Sequence, residues 1–458
     1  MNAPSEERPL AALLVPDILA LLEEAPGSVA AETEEMHAAD LADVVEALPR
    51  EHVMTVLAAL PPERAADVLE YLRDPLRTEV LEEMSTRQAA QIVTQMTPDD
   101  RVDILDELEE ARADEILSEI PLEARRETER LLAYDSDTAG GLMTTEFVSV
   151  PEELTVELAL DTVRTAARTG RREAVYTVYA TDAGGRLRGV LSLRELLAAP
   201  EGTRIADLAW EEVITVSVTA DRERVAQVTS EYDLVAVPVV DDGGRILGVV
   251  TVDDVIDVIV EEQTEDVQRL GAVEPLEQPY FEAGFWSIAR KRGGWLILLF
   301  LAEMLTATAL EHNAAFLGSA VALTFFIPLI TSSGGNSGSQ SATLIIRALA
   351  VRDIALRDAG RVLAREAGQG IVLGALLGAM GVGRALLGGQ SAELATVVGL
   401  TLLGVVVFGS LIGAMLPLAL TRAGVDPAIA SSPFIASFVD IAGILIYVLI
   451  AVQILGGG

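Results

Sequence analysis

The sequence predicts a multidomain protein with an all-α superhelical N-terminal domain, a tandem α/β pair and an α-helical transmembrane bundle of five spans. Three observations predict this class. A twelve-residue apolar period runs through the first third of the chain, a strand–turn–strand pattern then occurs twice, and long apolar stretches begin near Gly293. With 458 residues, the chain is long enough for about three domains of ~150 residues each.

The acidic residues are concentrated in the first part of the chain. Residues 1–289 carry 23 basic and 62 acidic residues, a net charge of −39, whereas the remainder has a net charge of +2. A strongly acidic region repels nucleic acid and attracts cations, divalent ones most strongly. We therefore expect divalent cations as ligands and no nucleic-acid partner.

The composition argues against an enzyme. Cysteine is absent, which excludes thiolate metal sites and cysteine catalysis. The sequence has three histidines, no P-loop and no defensible Ser-His-Asp arrangement. The N-terminus lacks a basic stretch followed by an apolar one, so we expect no cleaved signal peptide and a cytoplasmic location for residues 1–289.

Residues 1–133 are predicted to form an acidic domain of short helices. An apolar residue closes a unit every twelve residues, and several of these residues are followed by Pro or Ser. The closing positions are Leu48, Leu60, Leu72, Met84, Met96, Leu108, Ile120 and Leu132. Such a short helix–turn repeat is typical of a solenoid, and we expect a right-handed stack with mostly solvated acidic outer faces.

A duplicated α/β module is predicted at residues 134–200 and 201–260. The string DAGGRLRGVLS at 182–192 recurs 59 residues later as DDGGRILGVVT at 241–251, and an earlier strand at 148–150 recurs at 214–216. Each copy predicts a strand, a Gly-Gly hairpin turn, a second strand and a helix. The pattern resembles a tandem pair of CBS domains.

The resemblance to CBS domains implies ATP or another adenine nucleotide as a ligand. In such pairs a carboxylate after the second strand commonly holds the ribose. The residues at the matching places are Ser192, Glu195, Thr251 and Asp254. No aromatic residue is identified that would stack on the base, so nucleotide binding is left open.

An acidic connecting helix is predicted at residues 253–280. Carboxylates at 253, 257, 261 and 265 follow an i, i+4 spacing, which places them on one helix face. Each adjacent like-charged pair costs ~0.2 to 0.5 kcal/mol. Divalent cations would relieve this repulsion, especially if acids of another domain approached. The alternative interpretation is a solvated linker helix without a ligand.

A transmembrane domain is predicted at residues 281–458. Five stretches approach the ~20 apolar residues that a helix needs to cross a bilayer. They lie at 295–310, 320–349, 370–387, 395–420 and 433–455, and the second contains a glycine-rich run at 333–338 that predicts a bent or unwound span. Basic residues before the first span and between the second and third predict that both segments are cytoplasmic, so five spans place the C-terminus outside.

Polar groups inside the predicted spans indicate function, because ionisable residues in a bilayer must face protein or water. Asp440 lies within the last span, which has no basic residue to pair with it. The alternative is an acid hydrogen-bonded within the bundle. Glu303 is expected to extend towards Arg292 and to be structural. The polar run 331–340, together with Asp440, predicts a hydrophilic path, although by itself it would indicate close helix packing.

The order of these parts resembles the MgtE family of magnesium channels over nearly the whole chain. The most specific strings are YDSDTAGGLMT at 134–144, GGNSGSQSATLIIRA at 334–348, and Asp426-Pro427-Ala428 leading to DIAGILIY at 440–447. The resemblance implies a multi-pass protein of the bacterial inner membrane and a homodimer with its pore on the two-fold axis.

The resemblance also implies the metal sites. Asp440 matches the acid that holds a hydrated Mg²⁺ ion, and Ser432, Ala436 and Asn336 match other pore positions. The matching Mg²⁺-sensing acids are Asp67, Asp99, Asp103, Asp221, Glu223, Asp233, Asp254, Asp257, Glu262, Glu265 and Asp266. Ser432, Phe438 and Glu303 depart from the family pattern, which leaves selectivity and pore width open.

The implied function is a Mg²⁺-selective channel or transporter that abundant cytoplasmic Mg²⁺ closes. Mg²⁺ sheds water reluctantly, so carboxylates that grip its hydration shell suit it. Ions that bind the closed assembly better would shift the population towards it. The alternatives are a transporter of Co²⁺ or Mn²⁺ and a nucleotide-sensing CBS receptor whose spans only anchor it. An unpaired Asp440 argues against the anchor.

Overall fold

The computed structural model describes residues 9–168, 174–276, 278, 280–281, 283–319 and 321–455. Two compact units are present, Met1–Val260 and Glu261–Gly458. The first unit contains short helices and two small sheets, and the second contains the long apolar helices.

Short helices begin the first unit, and from Ala38 onward they follow the predicted twelve-residue period. They are α1 (Pro9–Glu24), α2 (Val29–Glu32), α3 (Ala38–Ala47), α4 (Arg50–Ala59), α5 (Pro62–Glu70), α6 (Leu76–Glu83), α7 (Thr86–Val93), α8 (Pro98–Glu107), α9 (Glu110–Glu119) and α10 (Leu122–Leu131). The predicted closing residues from Leu48 to Ile120 are buried, and Leu132 is partly buried. The period therefore identified both the helix length and the core.

Arginine side chains join successive helices of this repeat. The Arg101 guanidinium donates to the carbonyl oxygens of Val93 at 3.1 Å and Met96 at 2.9 Å. Arg112 likewise donates to the Leu81 carbonyl oxygen at 2.8 Å. The last carbonyls of a helix have no partner within it, so these arginines satisfy groups that would otherwise be buried and unpaired.

The two α/β modules follow. The first contains α11 (Ala139–Leu142), β1 (Phe147–Pro151), α12 (Val156–Arg168), β2 (Ala174–Thr181), β3 (Leu187–Ser192) and α13 (Leu193–Ala198). The second contains β4 (Val216–Ser217), α14 (Arg222–Tyr232), β5 (Ala236–Val240), β6 (Ile246–Thr251) and α15 (Val252–Leu270). Each sheet has one parallel pair, β1–β2 or β4–β5, and one antiparallel pair, β2–β3 or β5–β6.

The predicted duplication holds at the level of single hydrogen bonds. Asp182 Oδ1 accepts from the backbone N–H of Gly184 at 2.8 Å, and Asp241 Oδ1 accepts from that of Gly243 at 2.8 Å. The following glycines have φ of +76° and +75°, conformations that disfavour other residues. Both Gly-Gly hairpins are confirmed. The strand predicted at 214–216 is shorter than expected, since β4 begins at its last residue.

The predicted connecting helix is present but is shorter than expected. α15 begins at Val252 and ends at Leu270, so the prediction that it continues to residue 280 is wrong. Gly271 follows directly, and Ala272 adopts a left-handed conformation with φ of +56°. Glycine directly after the last helical residue commonly ends a helix. The acidic pattern alone does not predict this end of α15.

The second unit consists of α16 (Phe285–His312), α17 (Ala314–Ser319), α18 (Ile327–Ala350), α19 (Ala359–Leu387), α20 (Ala392–Arg422) and α21 (Ser432–Leu455). Within the described residues, four helical segments are long and apolar enough to cross a membrane: 285–312, 356–387, 392–422 and 432–455. They correspond to four of the five predicted spans. The other prediction falls largely on α18, whose polar residues lower its hydropathy; position 320, where that span was predicted to begin, lies outside the described residues.

The glycine-rich run does not interrupt α18, so the prediction that this span is unwound is wrong. The helix is continuous from Ile327 to Ala350. Its glycines instead permit close packing: a Cβ added at Gly413 of α20 would lie 2.1 Å from the Gly338 carbonyl oxygen, and one added at Gly334 would lie 2.2 Å from Val405. Small residues let helix backbones approach each other, which is the alternative that the sequence left open.

Candidate functional site

Asp99 and Asp254 lie together in the first unit, although the sequence places them in different domains. Asp99 is in the first turn of α8 and is 5% exposed, and its Oδ1 atom has no hydrogen-bond partner among the described residues. Asp254 is in the first turn of α15, where its Oδ2 atom accepts from Thr251 Oγ1 at 2.7 Å. The charges of the two carboxylates act on each other.

Burial makes ionisation of these acids unfavourable. Burial, and then the Asp100 charge, raises the pKa of Asp99 to about 7. Burial, and then the Asp99 charge, raises the pKa of Asp254 well above its usual range. The same two causes raise the pKa of Asp103, one turn further along α8, to about 7. Near neutral pH this group must therefore bind protons or a cation.

The arrangement suits a hydrated divalent cation. Among the described residues, no group of three or more His, Asp and Glu side chains is placed to coordinate a metal directly. Mg²⁺ usually keeps several water ligands and is bound through one or two carboxylates. The unpartnered Asp99 Oδ1 atom and the nearby Asp254 carboxylate fit that requirement.

Asp67 of α5 belongs to the same acidic group. The pKa of the Tyr71 phenol is raised by burial and then by the charges of Glu70, Asp253, Asp100 and Asp67, so these carboxylates lie close enough to act on the same hydroxyl group. The sequence did not assign Asp100, Asp253 or Tyr71 to the site. Asp100 directly follows a predicted acid and Asp253 begins the predicted stripe, so a signal for both was present.

Asp257 is one helical turn after Asp253 on α15, as the spacing predicted. Burial, and then the Asp253 charge, raises the pKa of Asp257. The two acids therefore share a helix face and repel each other, which confirms that part of the predicted stripe.

The other acids predicted in the second CBS module do not form one cluster, because Asp221 and Glu223 lie at one end of α14 and Asp233 lies at the other. Asp221 is the N-cap of α14, where its Oδ1 atom accepts from the Glu223 backbone N–H at 2.8 Å. Asp233 is the C-cap of the same helix, in a left-handed conformation. α14 has eleven residues and is ~16 Å long at ~1.5 Å per residue, so Asp221 and Asp233 lie at opposite ends of it. Their assignment as sensing residues stays a prediction.

A second acidic cluster lies at the end of α15. Burial, and then the charges of Asp426 and Glu262, raise the pKa of Asp266. Arg269 forms ion pairs with both Glu265 and Asp426. The sequence assigned Glu262, Glu265 and Asp266 but missed Asp426 and Arg269, because Asp426 is 157 residues from its partner.

Asp440 of α21 is half-buried and faces α18. A Cβ added at Gly335 would lie 3.3 Å from the Ala436 Cβ and 3.7 Å from Asp440 Oδ1. Ser339 lies one turn after Gly335 on α18, and its Oγ atom donates to the Ser432 carbonyl oxygen at 3.1 Å. The predicted residues Ser432, Ala436 and Asp440 recur at i, i+4 spacing and therefore form one face of α21 against α18.

Two other predicted residues behave differently. Asn336 is exposed, and its Nδ2 atom donates to Ser332 Oγ at 3.3 Å. Glu303 of α16 acts electrostatically on Asp440, and among the described residues it forms no ion pair with Arg292. An ion pair, one of the two expected contacts of Glu303 with Arg292, is therefore absent among the described residues, because α16 packs against α21 and brings Glu303 near Asp440.

Comparisons with known proteins identify the family. The MgtE divalent cation transporter model matches residues 327–450, the MgtE intracellular N domain model matches 36–137, and the CBS domain model matches 139–202 and 205–261. The magnesium transporter MgtE of Thermus thermophilus is 46% identical over 327 residues, which cover 71% of this chain and 72% of that protein. This chain belongs to the MgtE family. The Enterococcus faecalis magnesium transporter MgtE is 38% identical over 333 residues, with 71% of each chain covered.

Solved structures of magnesium-transport proteins resemble part of this MgtE-family chain. The soluble part of a magnesium transporter matches with a TM-score of 0.51 and 34% identity, covering 55% of this chain and 99% of that one. The cytosolic domain of the Mg²⁺ channel MgtE in complex with ATP has a TM-score of 0.51 and 37% identity, covering 54% and 99%. Membership of a transport family agrees with the prediction that the chain is not an enzyme.

The residues predicted to bind a nucleotide have local structural roles in this MgtE-family chain. Ser192 and Glu195 form a reciprocal capping box at the start of α13. The Ser192 backbone and the Trp210 indole, whose Nε1 donates to Glu195 Oε1 at 3.0 Å, lower the pKa of Glu195. Thr251 and Asp254 form the equivalent pair in the second module. The sequence did not indicate Trp210, whose exposed aromatic side chain lies beside the Glu195 carboxylate.

The sequence also missed a buried acid in the membrane unit. Glu366 of α19 is 6% exposed, and its Oε2 atom accepts from Ser341 Oγ of α18 at 2.5 Å. No basic residue forms an ion pair with Glu366 among the described residues. This bond fixes α18, the helix that faces Asp440, to α19.

Proposed function

We propose that this MgtE-family chain is a Mg²⁺-selective channel or transporter that cytoplasmic Mg²⁺ closes by negative feedback. The relatives named as magnesium transporters support Mg²⁺ as the cargo. The observation that carries the regulation is the buried Asp99, which has an unpartnered carboxylate oxygen and whose charge acts on Asp254. Two such carboxylates are tolerated together only with protons or a cation between them.

The feedback follows from this electrostatic requirement. When cytoplasmic Mg²⁺ is abundant, the ion with its water shell neutralises Asp99 and Asp254 and holds α8 against the start of α15. When Mg²⁺ is scarce, ionised carboxylates repel each other and the contact opens. A ligand shifts such an equilibrium by the difference between its affinities for the two states.

The acidic cluster at the other end of α15 gives the membrane unit a second response to the ion. Asp266 and Asp426 share a partly buried environment, and Arg269 neutralises only part of the charge there. Mg²⁺ would neutralise the remainder and hold the end of α15 beside the loop that precedes α21. Both ends of the helix then favour the closed state under the same condition.

The proposed pore is formed by a homodimer, with Asp440 of each protomer holding a hydrated Mg²⁺ ion. Ser432 and Ala436 line the same face of α21, and Asn336 follows Gly335 on α18. We include α18 as the fifth span, in a multi-pass protein of the bacterial inner membrane. The arginine distribution supports a cytoplasmic N-terminus and an external C-terminus.

Flux measurements test this proposal directly. Mg²⁺ entry into proteoliposomes, followed with an enclosed Mg²⁺-sensitive dye, should fall at least about tenfold in Asp440→Asn, because the ion loses its anionic ligands. Glu393→Gln, which neutralises an exposed acid at the start of α20, is the matched control and should keep wild-type flux. Undiminished flux in Asp440→Asn would contradict the pore.

Two other outcomes select the alternatives. Faster entry of Co²⁺ or Mn²⁺ than of Mg²⁺ would assign a different cargo to the same carboxylates. If the wild type carried no divalent cation, a nucleotide-sensing receptor anchored by its spans would be favoured.

A second proposed ligand is ATP or another adenine nucleotide at the CBS pair. The solved cytosolic domain in complex with ATP supports it, and Trp210 beside Glu195 supplies an aromatic surface that could stack on a base. Base stacking contributes ~1 to 3 kcal/mol, so Trp210→Ala should weaken ATP binding to the full-length protein at least about fivefold. Unchanged affinity in calorimetry would exclude Trp210 from the site.

A further inference from the structure

The connection between α18 and α19 concentrates positive charge in an otherwise acidic protein. Its exposed arginines, called the arginine patch here, are Arg347, Arg352, Arg357, Arg361 and Arg365. Arg361 pairs with Asp358 at 2.6 Å. Among the described residues of the membrane unit, no carboxylate lies within ion-pair distance, 4.0 Å, of the other four. Four guanidinium groups without a carboxylate partner in this short connection favour an anionic ligand from outside this unit.

Exposed apolar side chains are interleaved with the arginine patch. Leu344 is 63% exposed, Val351 is 48% exposed and Leu356 is 42% exposed. An acidic protein surface would neutralise the arginines but leave these side chains without an apolar partner. A phospholipid supplies both an anionic headgroup and acyl chains, so it matches the combination better.

The position of the arginine patch favours the same ligand. Arg347 is in the last turn of α18, and Arg361 and Arg365 are in the first two turns of α19, which belongs to a candidate membrane span. Arginine side chains at the end of a span extend along the apolar surface and place the guanidinium at headgroup level. The patch thus lies where a phosphodiester group would be.

We propose that the arginine patch is a binding site for anionic phospholipid headgroups. Guanidinium groups donate paired hydrogen bonds to phosphate oxygens, and the glycerol and acyl chains cover Leu344, Val351 and Leu356. The bound lipid stabilises the end of α18 beyond Ser341, which is bonded to Glu366. Lipid charge therefore influences the helix whose other half faces Asp440.

Lipid retention by the full-length protein tests the proposal. The protein is placed in nanodiscs of equal phosphatidylcholine and phosphatidylglycerol, and the lipids that remain bound are counted by native mass spectrometry. The wild type should retain phosphatidylglycerol in preference. Arg365→Gln should lower this preference about fivefold, from the contribution of one basic residue at an anionic surface. Arg384→Gln, at the opposite end of the same helix, is the control and should not change it.

A combined variant, R347Q/R352Q/R357Q/R365Q, should abolish the preference, and raising the salt concentration to ~1 M should weaken it in the wild type. The proposal is overturned if the wild type shows no preference or if Arg365→Gln and Arg384→Gln behave alike. It is also overturned if hydrogen exchange at 351–358 is equally slow in lipid-free detergent, since protein would then cover the patch. If the combined variant misfolds, the two single variants still decide.

Discussion

Replacing Asp99 by Asn should make the α8–α15 contact less dependent on pH and unresponsive to Mg²⁺. Burial raises the pKa of Asp99 to about 7. A pKa difference of one unit corresponds to ~1.4 kcal/mol, so ionising Asp99 in the folded state costs about 4 kcal/mol relative to the unfolded chain. Asn has nearly the same shape and carries no charge, so the variant avoids that cost.

The sign of the pH effect follows from which state holds the proton. The folded pKa of Asp99 is higher than the unfolded value, so between about pH 4 and pH 7 the folded state binds the proton and the unfolded state does not. Stability in chelator is therefore greatest in acid and declines as the pH rises to about 7. Asp103 and Asp254 act in the same direction, because their folded pKa values are also raised. Arg101 is close enough for its charge to interact with Asp99.

Hydrogen exchange can measure this decline locally. In chelator, the opening free energy of 98–107 and 252–260, corrected for intrinsic exchange, should fall by about 2 kcal/mol from Asp99 alone between pH 5 and pH 7. Mg²⁺ at 100 times its dissociation constant should restore about 2.7 kcal/mol at pH 7. Asp99→Asn should show a smaller pH effect and no response to Mg²⁺.

A surface acid of the same domain provides the control. Asp114→Asn neutralises an exposed carboxylate on α9 and should behave like the wild type. If Asp99→Asn retained the full pH dependence and the full Mg²⁺ protection, Asp99 would be neither the titrating group nor an ion ligand.

Two further predictions concern packing and the second acidic cluster. Gly413→Ala should lower the stability of the membrane unit by ~1 to 3 kcal/mol, because the new Cβ would lie 2.1 Å from the Gly338 carbonyl oxygen. Gly404→Ala is the control and should be tolerated, because the atom nearest to its new Cβ would lie at 3.6 Å. Thermal unfolding in detergent compares them, and equal midpoints would contradict the close packing. Arg269→Gln should lower, several-fold, the Mg²⁺ concentration needed to protect residues 261–276 from protease, because Asp426 loses the cation that pairs with it. An unchanged midpoint of protection would show that Arg269 does not compete with Mg²⁺.

Local sequence patterns predicted much of the fold because their physical causes are local. The twelve-residue period identified the short helices, since each helix contributes one buried face to the stack. The Gly-Gly turns identified both hairpins because Gly185 and Gly244 need a positive φ. The family resemblance indicated that Asp99 and Asp254 are functional, but the sequence did not show that they meet.

The errors arise where distant contacts decide the structure. The glycine run of α18 was interpreted as a break because Gly413 and Val405, which pack against it, belong to another helix. Glu303 was assigned to Arg292 because only its own helix was considered. Asp426 and Glu366 were missed for the same reason, since each is recognised by the partner that folding brings to it.

The most direct test of the account is Mg²⁺ flux measured at controlled Mg²⁺ concentration on the cytoplasmic side. In proteoliposomes with a fixed inward gradient, wild-type flux should be high in micromolar and suppressed in millimolar cytoplasmic Mg²⁺, and Asp99→Asn should show weaker suppression while still carrying the ion. Wild-type flux that is the same at both concentrations would contradict the proposed feedback.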